Sequence, residues 1–314
     1  MENHDGNKDN NKNSDALYNT ENDLSSPFGP DDQRGNLNLI NPQKIIKSLG
    51  IPKKGNVYPM SHIIYNGMAD RPTHGPYFFN LLLRPYDNGF TEKYSNKYGP
   101  SIGRLEMCDH TGTHIDALSH MAYNGKFFNN ISVKDSLTNT GYKKLGIENA
   151  GPIITRGIMI DSAAANGVDI LEGGYSIGTI EVKKFLKDNN IVPEPGDAIF
   201  FHTGASKLFS DPEEYDKFYD SAAGIGFGLA KYMDEIKISV TGSDTPSSEV
   251  VPPEDPKTRL PVHQYLIAKA GIHIIDNLNL QAMAKDKIYH FLFICSPISF
   301  MGATASPVSP VAIV

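Results

Sequence analysis

The chain has 314 residues and a net charge of −7, a balance that excludes the basic stripe needed to hold nucleic-acid phosphates. With 39% hydrophobic and 21% charged residues it reads as a globular protein. Its 15 Phe and 15 Tyr supply large groups for a core without any Trp. No run of ~18 apolar residues is present, which argues against a membrane-spanning helix.

Cys108 and Cys295 are the two cysteines. Two thiols cannot build a disulfide framework, so a reducing compartment is expected. The opening Met1-Glu2-Asn3-His4-Asp5-Gly6 has neither a basic nor an apolar signal region. The expectation is a cytoplasmic protein with a small-molecule substrate and no nucleic-acid or membrane partner.

Residues 1–25 are rich in Asn, Asp and Lys. They cannot bury enough apolar surface to offset their ordering entropy and read as a disordered tail; His4 belongs to it. Residues 26–314 read as one domain. Phe28 to Ile40 is turn-rich. Asn41-Pro42 marks a helix start, with Asn as N-cap and Pro at the first helical position. Val57 to Tyr65, Tyr77 to Leu83 and Ser101 to Met107 read as strands. The loops near residues 28–40, 66–90 and 202–206 are the expected pocket walls. The aromatic runs Tyr77-Phe78-Phe79 and Phe127-Phe128 suit core packing.

From Pro152 onward, short apolar runs alternate with helical stretches. Gly157–Asp161, Ala198–His202, Ile238–Gly242, Ile272–Ile275 and Tyr289–Cys295 read as strands. Between them lie helices through Glu181 to Leu186 (capped by Ser176 or Thr179), from Asp211-Pro212, over Gly226–Met233, over Val262–Ala270 with Gly271 closing it, and over Leu280–Lys285. Strands separated by helices predict an α/β architecture.

Cys108 to His120 packs three of the ten histidines and two carboxylates into thirteen residues. His110 and His114 would share a helix face, but Asp116 would lie roughly 200° round that helix, and Gly112 and Thr113 weaken a helix here. The spacing predicts a strand-to-helix loop that converges His110, His114 and Asp116 on one divalent ion. Two imidazoles and a carboxylate suit Zn or Mn, with Fe a third choice. Such an ion polarises a carbonyl and lowers the pKa of water. His120, just outside the three, is placed to move a proton. Elsewhere His62, His74, His202, His273 and His290 read as structural histidines. Asp244 and Glu249 are polar groups beside a strand end.

The stretch His110-Thr111-Gly112-Thr113-His114-Ile115-Asp116-Ala117-Leu118-Ser119-His120 resembles the His-x-Gly-Thr-His-x-Asp-x-x-x-His signature of the cyclase family of metal-dependent hydrolases. That family includes kynurenine formamidase, isatin hydrolase and trans-dienelactone hydrolase. Gly29 to Leu39, Gly196 to Gly204, Thr241 to Thr245, Glu249 to Pro252, Pro261 to Gln264 and Gly302 to Pro307 resemble further stretches of its longer branch. The resemblance implies a swivelling β/β/α fold and a homo-oligomer, dimer or tetramer. It implies metal ligands at His110, His114 and Asp116 and an acid/base at His120. A second half-site would use His263 and, where the family has Glu, Asp276. Asp is one methylene shorter, so one ion per site is expected and a second is left open. The leading activity is hydrolysis of an amide C–N bond, in a formamide or a cyclic amide or imide. The alternatives are lactone hydrolysis, a cyclase or dehydratase reaction, and metal binding without catalysis.

Overall fold

The computed structural model describes residues 23–71 and 73–314. Nine strands make one sheet: β1 (Val57–Pro59), β2 (His114–Asp116), β3 (Ile153–Asp161), β4 (Ala198–His202), β5 (Val240–Ser243), β6 (His273–Asp276), β7 (His290–Cys295), β8 (Ala305–Pro307) and β9 (Val311–Ile313). Their spatial order is β1-β9-β7-β3-β4-β5-β6-β2-β8. Strands β3 to β6 run parallel, and the pairs outside them are antiparallel. The parallel centre follows from the connections: a return to the same end of a sheet needs a crossover. Here the crossovers carry helices α2 (Thr179–Asp188) and α3 (Phe227–Glu235) and the helical stretch 261–269.

Alternation along the strands sorts the core onto two faces. Ile158, Ile160, Ile199, Phe201 and Ile274 pack with Val182 and Leu186 of α2 and Leu229 and Met233 of α3. Met159, Phe200 and Ile275 face the other way, against Phe291 and Phe293 of β7 and Met283. Each such buried side chain contributes about 1.5–3 kcal/mol relative to exposure. The expected α/β class therefore holds. No helix among the described residues is long and apolar enough to cross a membrane.

Helix α1 (Pro42–Leu49) starts as expected, with the Asn41 side chain accepting from Lys44 N at 2.8 Å. The α2 cap differs: Gly178 holds the cap position with no side-chain bond, and Ser176 lies instead in a two-residue parallel pairing with Gly224. The stretch 261–269 begins as α-helix (Pro261–His263) and continues as π-helix (Gln264–Lys269). Gly271 closes it at φ 66. A Cβ there would come within 2.6 Å of the Phe128 ring and 3.0 Å of Gly35 Cα, so glycine is required by both dihedral and space.

Two expectations are corrected. β1 ends at Pro59 rather than Tyr65, because its one partner, β9, offers three residues for pairing. The runs 78–83 and 102–106 do form strands, but as a separate hairpin (Phe78–Leu83 with Ile102–Glu106). There Phe78 and Phe79 are 51% and 43% exposed rather than core; Phe127 and Phe128 are core as expected. The strands β8 and β9 were not anticipated. Most of the expected tail lies outside the described residues; of its last residues, Leu24 is already buried, its N–H donating to Asn130 Oδ1.

Candidate metal centre

The His110 stretch is not a strand-to-helix loop. Residues 109–113 turn, and His114–Asp116 enters the sheet between β6 and β8. These two neighbours supply the pairing that the local sequence does not reveal. In a strand, residues two apart share a face. His114 and Asp116 therefore point one way, while Ile115 points into the core beneath. The register sets Asp276 of β6 directly opposite His114, which brings its carboxylate to the same face. His263 arrives from the helical turn Pro261–His263. The turn before β2 needs Gly112 at φ 62, where a Cβ would sit 3.2 Å from Ile64 Cγ1.

The side chains converge on Asp116. Its Oδ1 lies 3.5 Å from His110 Nε2 and 3.7 Å from His114 Nε2, and its Oδ2 lies 3.8 Å from His263 Nε2 and 4.0 Å from His120 Nε2. Asp276 Oδ2 stands 3.6 Å from His263 Nε2 and 3.8 Å from His114 Nε2. Among the described residues three groups have ligand-type atoms mutually within 4.8 Å: His110, Asp116 and His120; Asp116, His263 and Asp276; and, behind His110, Cys108, Asp109 and His110. The structure thus brings together all six residues singled out in the sequence. The first group takes His120 where His114 was expected.

Three rings are held from behind. Nδ1 of His110 faces Asp109 Oδ1 at 2.9 Å, Nδ1 of His114 faces Gly112 O at 2.8 Å, and Nδ1 of His263 faces Glu249 Oε2 at 3.3 Å. At His110 and His114 the partner fixes a hydrogen on Nδ1, and all three rings turn Nε2 toward Asp116, the orientation that metal-binding imidazoles take from outer partners. Glu249 Oε2 also accepts from His263 N at 2.8 Å. The Ser248 hydroxyl donates to Asp276 Oδ1, leaving Oδ2 for the cluster. Asp109 carries no signal in a single sequence beyond its nearness to His110; Glu249 was noted without a role. Their partners are long-range.

Both oxygens of Asp116 are buried and accept no hydrogen bond. A carboxylate in that state is costly unless a cation faces it. Burial accordingly raises the Asp116 pKa. Against the opposing effect of burial, the Asp109 hydrogen bond and nearby carboxylates hold His110 up at about 10. Asp276 and Glu249 likewise overcome burial to raise His263 well above its ordinary range, and His263 in turn keeps Asp276 low despite burial. His120 is lowered to about 3 by burial and by the charges of His110 and His263. Protonation of His110 and His263 is thus favoured in the free protein, and a divalent cation would stand in for those protons. The donor set of imidazoles and carboxylates, with an orphaned buried carboxylate at its centre, fits such an ion.

Two other histidines, His202 and His62, have partners outside the cluster. His202 bridges Asp161 Oδ1 at 2.8 Å and Gln281 Nε2 at 3.0 Å. His62 stacks on Phe209 at 3.8 Å between ring centroids. Asp244 accepts from Thr203 N at 2.8 Å and Gly204 N at 3.0 Å, which ties down the loop after β4. Within the expected wall at 28–40, Asn36 is buried and donates to Ile238 O at 2.8 Å. A cavity of about 480 Å³ lies elsewhere, lined by Lys53, Arg156, Asn190, Lys287, His290 and Val314 among others, and includes no residue of the cluster.

The Cyclase family model matches residues 23–250. The chain belongs to the Cyclase family. Its relatives in that family include kynurenine formamidases from Bacillus thuringiensis subsp. konkukian (strain 97-27), 28% identical over 255 residues, and from Bacillus anthracis, 27% identical over 255 residues; each match spans 80% of this chain and 94% of the relative. Among solved structures, a novel cyclase superposes with a TM-score of 0.83 at 25% identity, covering 91% of this chain and 98% of its own. Isatin hydrolase A from Ralstonia solanacearum shares the cyclase fold at a TM-score of 0.61 and 14% identity, over 82% of this chain and 91% of its own. His263, Asp276 and strand β8 lie beyond the stretch matched by the family model, yet geometry joins them to it.

Proposed function

We propose that this protein is a metal-dependent hydrolase that cleaves an amide C–N bond of a small molecule, in a formamide or a cyclic amide or imide. The observation that carries the reading is the convergence of imidazole Nε2 atoms and a second carboxylate on Asp116, whose two oxygens are buried without hydrogen bonds. The kynurenine formamidases among its relatives support the amide as the bond attacked.

His110, His114 and Asp116 would hold one divalent ion, Zn or Mn, and His263 and Asp276, beside Asp116, would be the residues to hold a second. A bound ion of this kind supplies Lewis acidity and a water of lowered pKa. The chain's own residues do the rest. The second carboxylate, Asp276, adds negative charge that favours cation over proton at the centre. His120 is the most exposed of the imidazoles, with 25% of its side chain accessible against 4% for His114 and 3% for His263. Burial disfavours its charged form, which would leave a ring nitrogen free to accept a proton from the attacking water and return it to the leaving nitrogen.

The test combines metal analysis with turnover. Apo-protein reconstituted with Zn or Mn should hydrolyse members of a panel of formamides, cyclic imides and lactones, with the C–N substrates preferred. His114→Ala should lose the ion. His120→Ala should keep it while turnover falls about 10²–10⁴-fold. Stoichiometric metal in His114→Ala, or unchanged turnover in His120→Ala, contradicts these assignments. A preference for lactones moves the activity to ester hydrolysis.

A further inference from the structure

Asp109 stands outside the ligand set, yet both its oxygens are committed. Oδ1 accepts from His110 Nδ1 at 2.9 Å, with the Cys108 thiol 3.5 Å away. Oδ2 accepts from Thr304 N at 3.0 Å, Thr304 Oγ1 at 2.9 Å and Ala305 N at 3.2 Å. Ala305 is the first residue of β8 and pairs with Asp116. One carboxylate therefore links the turn carrying His110 to the strand that flanks Asp116, and it bridges 195 residues of sequence.

We propose that Asp109 is a positioning residue that fixes the His110 ring for metal binding and anchors it to β8. It stands behind the His110 ring rather than among the atoms that face Asp116, and its oxygens already have protein donors. It acts through His110. The Nδ1–H···Oδ1 bond sets the tautomer and directs Nε2 to the side of Asp116. The Thr304 and Ala305 bonds stop Asp109 from following the ring if the turn shifts. His110 Nε2 also lies 3.0 Å from His120 Nδ1, so a loosened His110 would disturb the proton-transfer residue as well. Outer partners of this kind are worth about 10–100-fold in metal affinity.

The inference rests on the metal-centre reading, and its test separates the two. Apo-protein is titrated with Mn(II), with free ion counted by electron paramagnetic resonance and the bound-ion spectrum recorded. Asp109→Ala should weaken binding about 10–100-fold and broaden or shift the bound-ion signal. Thr304→Val, which removes one donor to Oδ2, should weaken it less. Asp109→Asn is nearly isosteric and cannot accept at both ends, so it should also weaken binding; it carries the test should Asp109→Ala fail to fold. Circular dichroism and melting of the apo-proteins confirm the fold. Folded Asp109 variants with wild-type affinity and an unchanged bound-ion spectrum would overturn the inference alone. A wild-type protein that binds neither Mn(II) nor Zn(II) would overturn it together with the proposed function.

Discussion

His273 begins β6 as a fully enclosed imidazole whose Nδ1 finds no hydrogen-bond partner. Burial lowers its pKa to about 3, with the Arg34 charge adding to the effect and Asp32 opposing it. An unfolded histidine titrates near 6.5. Between these values the unfolded chain takes up a proton that the folded chain refuses. Stability from this residue is therefore full above about pH 6.5 and is lost as the pH falls toward 3, by up to about 1.4 kcal/mol per unit. Urea midpoints at pH 7, 5.5 and 4.5 should fall more steeply for wild type than for His273→Gln. Equal slopes would show that this ring does not drive acid sensitivity. At this scale the sequence was informative about which residues mattered and silent about what holds them. His110, His114, Asp116 and His120 sit in one short stretch, so spacing exposes them. Asp109 and Glu249 act through partners that only the folded chain brings near, such as Thr304 for Asp109 and His263 for Glu249.

Element boundaries were legible where chemistry is local. Asn41-Pro42 and Asp211-Pro212 each pair a capping side chain with a proline that cannot donate, and both open helices, the Asp211 side chain accepting from Glu214 N at 3.3 Å. Strands β3, β4 and β6 were legible as short apolar runs, because parallel strands are buried on both faces. Strands β2, β8 and β9 have three residues each, too few for a period to register; pairing with distant strands makes them strands. The joint between α1 and the sheet shows the same dependence. Asp197, just before β4, is fully buried and faces Lys44 of α1 and Arg156 of β3. Arg156 Nε approaches its Oδ1 at 3.0 Å, and Glu194 N donates to its Oδ2 at 2.7 Å. Asp197→Asn would strand two cations in a largely buried site. Breaking such a set from one side costs about 3–5 kcal/mol. Denaturant unfolding should show a loss of this order, against about 1 kcal/mol for Asn41→Ala at the α1 cap; a loss near zero for Asp197→Asn would mean that the cations reach water.

For the molecule as a whole, chain order and spatial order diverge most at the cluster. The strand bearing His114 and Asp116 lies between β6 and β8, which are formed roughly 160 and 190 residues later. During synthesis, domains fold from the N-terminal side as the polypeptide emerges. The His110–His120 stretch must therefore leave the ribosome long before Asp276, Thr304 and Ala305 exist to complete it. For that interval β2 has no neighbour on either side, Asp109 lacks its three donors from Thr304 and Ala305, and the histidines face solvent without a fixed geometry. Capture of the proposed ion would then be a closing event of biogenesis rather than a seed for folding. A chain cut after Pro297 should bind Mn(II) at least tenfold more weakly than the whole protein, the low end of the loss associated with missing outer partners. Wild-type affinity in the cut chain would instead mean that the metal organises its own binding stretch before the last strands arrive.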